Sequence, residues 1–489
     1  MPGVVISTAV RTGPSSPTVR ESSQAFFVGL ADRGPTDSAL KVSSIEEFED
    51  IYGGYVSYAY LHPTVETFFE EGGTQCYIAR VAGSAATTGV KNITSSGSVA
   101  FSLEANGPGD WSTDLNVTTL AGTAANTFIV KLFLGTDLLM STFNCSSNEV
   151  AVGKINSHPV ASKYVIASLD NATTTALPDP YVTTSAFSAG ADDRASVVAA
   201  DYVTGLGLFN DALGTGAVSC PENASATVYT GLVAHANTYS RIAILHGLSD
   251  DTQQDIIALA QTIAGGLEDT EHAALFYPWV YVPTAVAGIN RMIPPDGYIA
   301  GKRSAAHNTA GSHVPYAGLL SQAVFVNGVV TEVNKSNGDI LDEEGVNAIR
   351  VIQNTIRIYG ARSLSPDSNN YRYITAQDIV NGIVTDSNRT LESVVFSTID
   401  GRNNSFASVE AKLIAVLEAA RISGALYEAF DANGKRIDFG YTVKCDKSLN
   451  PVSQLATGLI KARVGVRVSS VGDKIEVNII KSNLTTSVV

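Results

Sequence analysis

Three stretches of the chain carry residue types that could bind an ion or do catalysis. "GYIAGKRS" (297–304) has the glycines, lysine and hydroxyl of a phosphate loop. That loop needs four residues between its glycines, so that backbone N–H groups can cradle phosphates, and a Ser or Thr directly after the Lys to hold magnesium. Here only three residues separate Gly297 from Gly301, and Arg303 follows Lys302. "DANGKRID" opens like a calcium loop at Asp431 and Asn433, but Lys435 stands where the third oxygen ligand belongs. A tight turn is the expectation there. "ILHGLSDD" places His246 after an apolar run and near Asp250, the strand-end position where α/β enzymes keep catalytic groups. No G-x-S-x-G elbow accompanies them, and nothing nearby completes a set of nucleophile, base and oxyanion donor. The seven histidines contain no H-E-x-x-H or H-x-H pair. Cys76, Cys145, Cys220 and Cys445 are scattered without a C-x-x-C pair, so they read as buried free thiols of a reducing compartment rather than zinc ligands. No catalytic, cofactor-binding or metal residues are expected.

The bulk properties remove further classes. A net charge of −15 with no run of Lys and Arg argues against a nucleic-acid binder. No apolar run approaches the roughly 20 residues that cross a bilayer. The first residues lack the basic start, apolar core and cleavage site of a signal peptide, so no export is expected and the Asn-x-Ser/Thr triplets at Asn92, Asn116 and Asn171 carry no meaning. Only 16% of residues are charged, while Ala, Gly, Ser, Thr and Val abound, which suits a surface lying largely against other protein. At 489 residues the chain is long enough for two to four domains.

The elements follow from periodicity. "AFFVGLA" (25–31) reads as a buried strand. "SIEEFEDIYGG" has Ser44 and Glu47 spaced as a capping box, then Ile45, Phe48, Ile51 and Tyr52 on one helical face, then Gly53 and Gly54 as a stop. "HPTVETFFEEGG" repeats the design with Val65, Phe68 and Phe69 inward, and "TQCYIARVAG" reads as a strand. This is an α/β unit. From 84 to 191, short β-prone runs alternate with Gly, Asn, Asp and Ser without helical periodicity, so an inserted all-β domain is expected, with "LPDPYVTTSAFSAGADD" as its exit linker. Helix and strand then alternate. Helices are expected in 195–210, 226–239 and, capped by Asp250 or Asp251, in 250–266, and buried strands in "SRIAILHG" and "AALFYPWVYV". "FASVEAKLIAVLEAARISGAL" sets Val409, Leu413, Val416, Leu417 and Ala420 on one face of a helix, and "DFGYTVKCD", "KARVGVRVSS" and "KIEVNII" follow as strands.

Both chain ends are β-prone. Val4, Val5 and Ile6 precede a Pro/Ser/Thr-rich linker, and Ile475, Val477 and Ile479 alternate with polar residues near the end, with no return strand after them. Ends usually fray unless tied down. They either close a sheet of their own domain or reach into neighbouring subunits.

One long stretch resembles a known family. "FYPWVYVPTAVAGINRMIPPDGYIAGKRSAAHNTAGSHVPYAG" (276–318) is similar to the central signature of contractile-phage tail sheath proteins, with Tyr277, Pro278 and Trp279, then Pro294, Pro295 and Gly297, then Ala300 and Gly301, then Gly311 and Pro315. "FFVGLADRGP", "SIEEFEDIYGG", "VETFFEEGGTQCYIARV" and "NGPGDWSTDLNV" match in order before it. "NTIRIYGARSLSPD", with Tyr359 and Ser363 for the usual Trp and Thr, and "NPVSQLATGLIKARVGVRV" match after it. A basic helix usual after the Gly-Ala-Arg motif is poor in basic residues here.

The resemblance implies a multidomain α+β and α/β chain: an arm and linker at 1–24, the first part of an α/β core at 25–83, an inserted all-β domain at 84–191, an α/β middle domain at 192–345, an inner sheath domain at 346–472 built with both chain ends, and a β arm at 473–489. It implies that Val4, Val5, Ile6, Ile475, Val477 and Ile479 are teeth of arms that add strands to sheets of adjacent subunits. It implies a mechanical sheath subunit without cofactor, whose partners are further copies of itself, a tail tube, a baseplate and a terminator, with no nucleic acid and no membrane insertion, in a virion tail assembled in host cytoplasm. Tube contact falls to the inner domain, where Lys412 and Arg421 on the 406–422 helix are the candidate charged contacts. The rival readings are an α/β hydrolytic enzyme with a β accessory domain using His246 and Asp250, and a secreted adhesin or surface-layer protein.

Overall fold

The computed structural model describes residues 21–286, 288–399 and 403–473. Its body is one eight-stranded sheet. The first strands and helices are β1 (Ala25–Gly29), β2 (Leu40–Val42), α1 (Ile45–Tyr52), α2 (Leu61–Glu70) and β3 (Cys76–Arg80). The α1 cap is close to expectation. Ser44 Oγ accepts from the Glu47 N–H at 3.2 Å, but the Glu47 carboxylate accepts from Ser43 N–H at 2.8 Å, one residue before the cap. Gly53 ends the helix at φ +87°, a backbone that favours glycine.

The block after β3 holds β4 (Val90–Ser95), β5 (Ser98–Ala105), β6 (Leu115–Ala121), β7 (Phe128–Leu134), β8 (Asp137–Ser141), α3 (Asn148–Asn156), β9 (Val165–Ser168) and β10 (Tyr181–Ala186). Its strands form two antiparallel sheets, β4-β5-β9 and β10-β6-β7-β8, around a core that includes Phe101, Leu115, Val130 and Leu132. The expectation of no helix was wrong: Ser147 caps α3 by accepting from Val150 N–H. The expected exit linker also contains a strand, because β10 returns to pair with β6. The block meets the body at Arg80, whose buried guanidinium donates to the carbonyls of Ala31, Gly34 and Pro108.

The chain then resumes the body with α4 (Ala199–Leu206), β11 (Ala217–Ser219), α5 (Ala226–Thr238), β12 (Ile242–His246), α6 (Gln253–Gly266), β13 (Ala273–Tyr277), β14 (Val280–Pro283), β15 (Asn290–Ile293), α7 (Asp296–Thr309), β16 (Gly328–Val329), α8 (Lys335–Glu343), β17 (Val346–Ile352) and β18 (Thr355–Tyr359). The body sheet runs β18-β17-β13-β12-β11-β1-β3-β2. Its inner six strands are parallel, and β2 and β18 are antiparallel edges. It takes strands from the segments 25–83, 192–345 and 346–472. Alternation along β1 sends Phe27 to one face with α1, α2 and α7, and Phe26 and Val28 to the other with α4, α5 and α6. A parallel sheet covered on both faces needs such near-continuous apolar strands.

Two readings are corrected here. Thr252, not Asp250 or Asp251, caps α6, and Asp255 completes its capping box. The single strand expected in "AALFYPWVYV" is two. β13 ends at Tyr277 in the body sheet, while β14 joins β15 and β16 in a separate sheet. Pro278 between them has no N–H to give a ladder.

After β18 come α9 (Ile374–Glu392), α10 (Asn404–Ile422), β19 (Ala429–Phe430), β20 (Arg436–Asp438), β21 (Tyr441–Lys444), α11 (Val452–Leu455) and β22 (Arg463–Val466). As expected, Val409, Leu413 and Leu417 of α10 face inward. They, with Phe406, line its buried side, while Phe406, Val409, Leu413 and Cys445 make a small hydrophobic cluster. "DANGKRID" is the expected turn between β19 and β20, with Asp431 Oδ1 accepting from Asn433 and Lys435 N–H groups.

Candidate assembly surface

The stretches with possible chemistry are used for packing. The loop-like "GYIAGKRS" is the first half of α7, and its glycines allow close approach to α2: an added Cβ at Gly297 would lie 2.2 Å from the Thr64 carbonyl oxygen, and one at Gly301 2.8 Å from that of Phe68. Lys302 pairs with Glu71 at 2.6 Å, and Glu71 in turn accepts from the N–H groups of Val324, Phe325 and Val326. This buried carboxylate therefore pins the 324–326 segment to α2.

His246 does not meet Asp250. Asp250 is exposed, and His246 is buried with its Nδ1 2.9 Å from Asp296 Oδ2, off the line of a good hydrogen bond. Neighbouring Asp251 accepts from Leu248 N–H at 2.7 Å and so shapes the turn. Glu222 lies near them and accepts from the Leu30, Tyr60 and Leu61 N–H groups, which caps the start of α2. Burial pushes its carboxyl up to about 7, against the pull of those donors. The catalytic pair suggested by the sequence is thus not brought together. Among the described residues, no group of His, Cys, Asp and Glu is arranged to hold a metal ion, and no helix is long and apolar enough to cross a membrane.

One exposed apolar surface lies after residue 390. β21 and β22 form a two-stranded sheet, and all four residues of β22 are exposed. The described residues add no third strand along β22 itself, although just beyond it Leu426 bridges Val468 and the 425–427 backbone bonds to 467–469. Isolated two-stranded sheets are marginal in water, and an unpaired edge is a template for another strand. Phe396 is fully exposed, and Tyr427, Phe430, Ile437, Phe439, Val452 and Leu459 are exposed as well. Such density of exposed apolar side chains marks interaction surface.

The arm residues Val4, Val5, Ile6, Ile475, Val477 and Ile479 lie outside the described residues. Of the two candidate tube contacts, Lys412 makes no ion pair among the described residues. Arg421 is engaged within its own region. It binds Glu418 through Nε at 3.0 Å and Nη2 at 2.8 Å, and Glu428 through Nη1 at 2.6 Å. Those two carboxylates hold its proton more firmly than usual, and Arg421 holds both carboxyls below their ordinary range. The exposure of β22 was not legible in the sequence, because "RVGV" looks the same whether or not the fold covers it.

No family model matches the chain, and no curated protein is similar to it. Solved structures are. A sheath tail protein from Listeria innocua aligns with a TM-score of 0.63 at 12% identity, over 88% of this chain and 90% of that one. A sheath tail protein from Desulfitobacterium hafniense aligns at 0.54 and 13% identity, over 90% and 94%. The sheath complex of an extracellular contractile injection system, in its contracted state, aligns at 0.55 and 14% identity, over 99% and 98%. The chain has the fold of contractile tail-sheath proteins, in agreement with the ordered motifs in its sequence.

Proposed function

We propose that this protein is the structural subunit of a contractile tail sheath. Copies stack as six-fold rings on a helical lattice around a tail tube, and the lattice shortens to drive the tube through a host envelope. Partners are further copies of the chain, the tube, the baseplate and a terminator, in a virion or phage-like tail assembled in host cytoplasm. The reading needs no cofactor. A contracted lattice of lower free energy, reached over a kinetic barrier, supplies the work.

The observation that carries this reading is the joint one of fold and open surface. The fold matches sheath chains over nearly its whole length, and the matched chain includes a two-stranded sheet whose strand β22 is exposed at every residue. Arms at 1–24 and 473–489 would complete such sheets on adjacent subunits, with main-chain hydrogen bonds for affinity and alternate apolar teeth for register. Twelve extended residues reach roughly 40 Å, enough to cross to a neighbour. Donor and acceptor surfaces differ, so the contact is head-to-tail and propagates. The 84–191 block would project outward, the 192–345 segment would complete the middle of the body, and the 346–472 segment would face the tube, with Lys412 as its candidate contact.

Negative-stain electron microscopy of the purified protein tests the reading. Long hollow striated tubes are expected, and a chain lacking 474–489 should remain folded without forming them. Uniform small particles at every concentration and salt would overturn the sheath reading, and tubes from the truncated chain would overturn the arm model.

A further inference from the structure

Two separate clusters of charged side chains meet on α9. The first holds the root of the amino-terminal arm, the short turn Glu21–Ser23. Arg303 Nη1 donates to the Ser22 carbonyl at 2.5 Å, and His307 Nδ1 lies 3.2 Å from the same oxygen. Arg303 also forms a buried ion pair with Asp378 of α9, and Glu21 pairs with Arg389 in the last turn of that helix. The second cluster holds Asp473, where the described carboxy-terminal chain ends. Arg362 Nη2 lies 3.0 Å from Asp473 Oδ2. The same guanidinium grips Asp342 through Nε at 2.7 Å and Nη2 at 2.5 Å, and lies 4.9 Å from the ring of Tyr373. Tyr373 is the residue that immediately precedes α9.

The helix itself is fixed in the body at its start. Ile374 to Ile379 and Asn381 are buried. Gln377 reaches His272 at 3.0 Å, and Asn381 donates to the Arg241 carbonyl at 3.3 Å. At its far end, Leu391 packs on the small cluster of α10 and Cys445. A helix of 19 residues spans about 28 Å at roughly 1.5 Å per residue, so α9 links body, both arm roots and the carboxy-terminal region as one stiff element.

We propose that α9 is the strut to which both arms are tied, so that tension arriving through one arm from a second copy of this chain leaves through the other without passing across the body sheet. Arg362 and the Arg303–Asp378 pair are its clasps, and they position the arms rather than contact the neighbour. The inference rests on the sheath reading above, with the arms as the inter-subunit link.

Charge reversal at the exposed pair and removal of charge at Asp473 test it in the full chain. Glu21→Arg, Arg389→Glu and Asp473→Asn should each give folded protein with tubes several times shorter than wild type that fall apart at lower urea. Glu21→Arg combined with Arg389→Glu should restore tube length, which a merely structural loss would not allow. Single variants with wild-type tubes would overturn the strut. If wild type itself forms no tubes, the sheath reading fails instead, and hydrogen exchange on the monomer decides the strut. Glu21→Arg should then speed exchange about tenfold at residues 22–24 and 385–392 by freeing their local opening, and unchanged rates there would overturn it.

Discussion

The body sheet and the region after residue 400 solve the same problem in opposite ways. In the body, β1 is buried at all five positions, and helices cover both faces. In the later region, β22 is exposed at all four positions, and the hydrophobic cluster is small. The body can therefore fold on its own apolar burial. Among the described residues, the later region leaves all four residues of β22 and several aromatic side chains exposed. In the sheath proposed above, a subunit that holds its shape while its neighbours rearrange would need this division, with stability inside and adhesion at the rim.

The contrast can be broken most severely in the body. Phe276, 1% exposed between the sheet and its helices, should cost about 3–5 kcal/mol when changed to Ala, read as a lower urea midpoint. A loss below about 1 kcal/mol would show that the sheet is not where the stability resides. Gly297→Val should cost about 1–3 kcal/mol, because its side chain would collide with the Thr64 backbone. An unchanged midpoint would mean that α2 and α7 separate freely. Val464→Asp with Val466→Asp should shift monomer stability by no more than about 0.5 kcal/mol, yet abolish tubes in electron micrographs. Tubes of normal length would remove β22 from the interface.

The smallest effect sharpens the contrast through pH. Glu222 carries a folded pKa of about 7 against an ordinary 4.5, so the native body binds more protons than the unfolded chain between those values. Its contribution to stability is full below 4.5 and is lost as pH rises through 7. Glu222→Gln should flatten urea midpoints measured between about pH 5 and pH 8. In the later region the sign reverses. Arg421 lowers Glu418 and Glu428, and the Gly440 N–H and Arg467 lower Asp438. Their contribution is present above the ordinary carboxylate range and fades as pH falls through their lowered values. Hydrogen exchange should therefore show residues 418–444 losing protection on acidification while Leu30, Tyr60 and Leu61, bonded to Glu222, do not. Matching trends in both regions would contradict this.

Much of the body was legible because its signals are local. Ser44 before Ile45, the buried run Ala25–Gly29 and the inward face Val409, Leu413 and Leu417 all declare themselves within a few residues. Misreadings arose where distant residues decided. The phosphate-loop reading of "GYIAGKRS" was set aside on its spacing, but its helix was not read either, because its Gly and Lys serve packing against α2 and pairing with Glu71. Helix α3 was hidden in a stretch of β-prone runs. His246 seemed to face Asp250, four residues away, but the fold brings up Asp296 from fifty residues further on.

By itself, the sequence determined which segments want to be helix or strand, the absence of a recognisable catalytic motif, and the order of motifs that match sheath proteins. Hydrophobic period and capping residues act over one or two turns, so they survive in a linear string. Only the tertiary structure decided that Arg303 would meet the Ser22 carbonyl and Asp378, that Arg362 would meet Asp342 and Asp473, and that β22 would be left exposed among the described residues. Periodicity states which side chains need cover, but the cover comes from residues hundreds of positions away, and folding alone chooses among them.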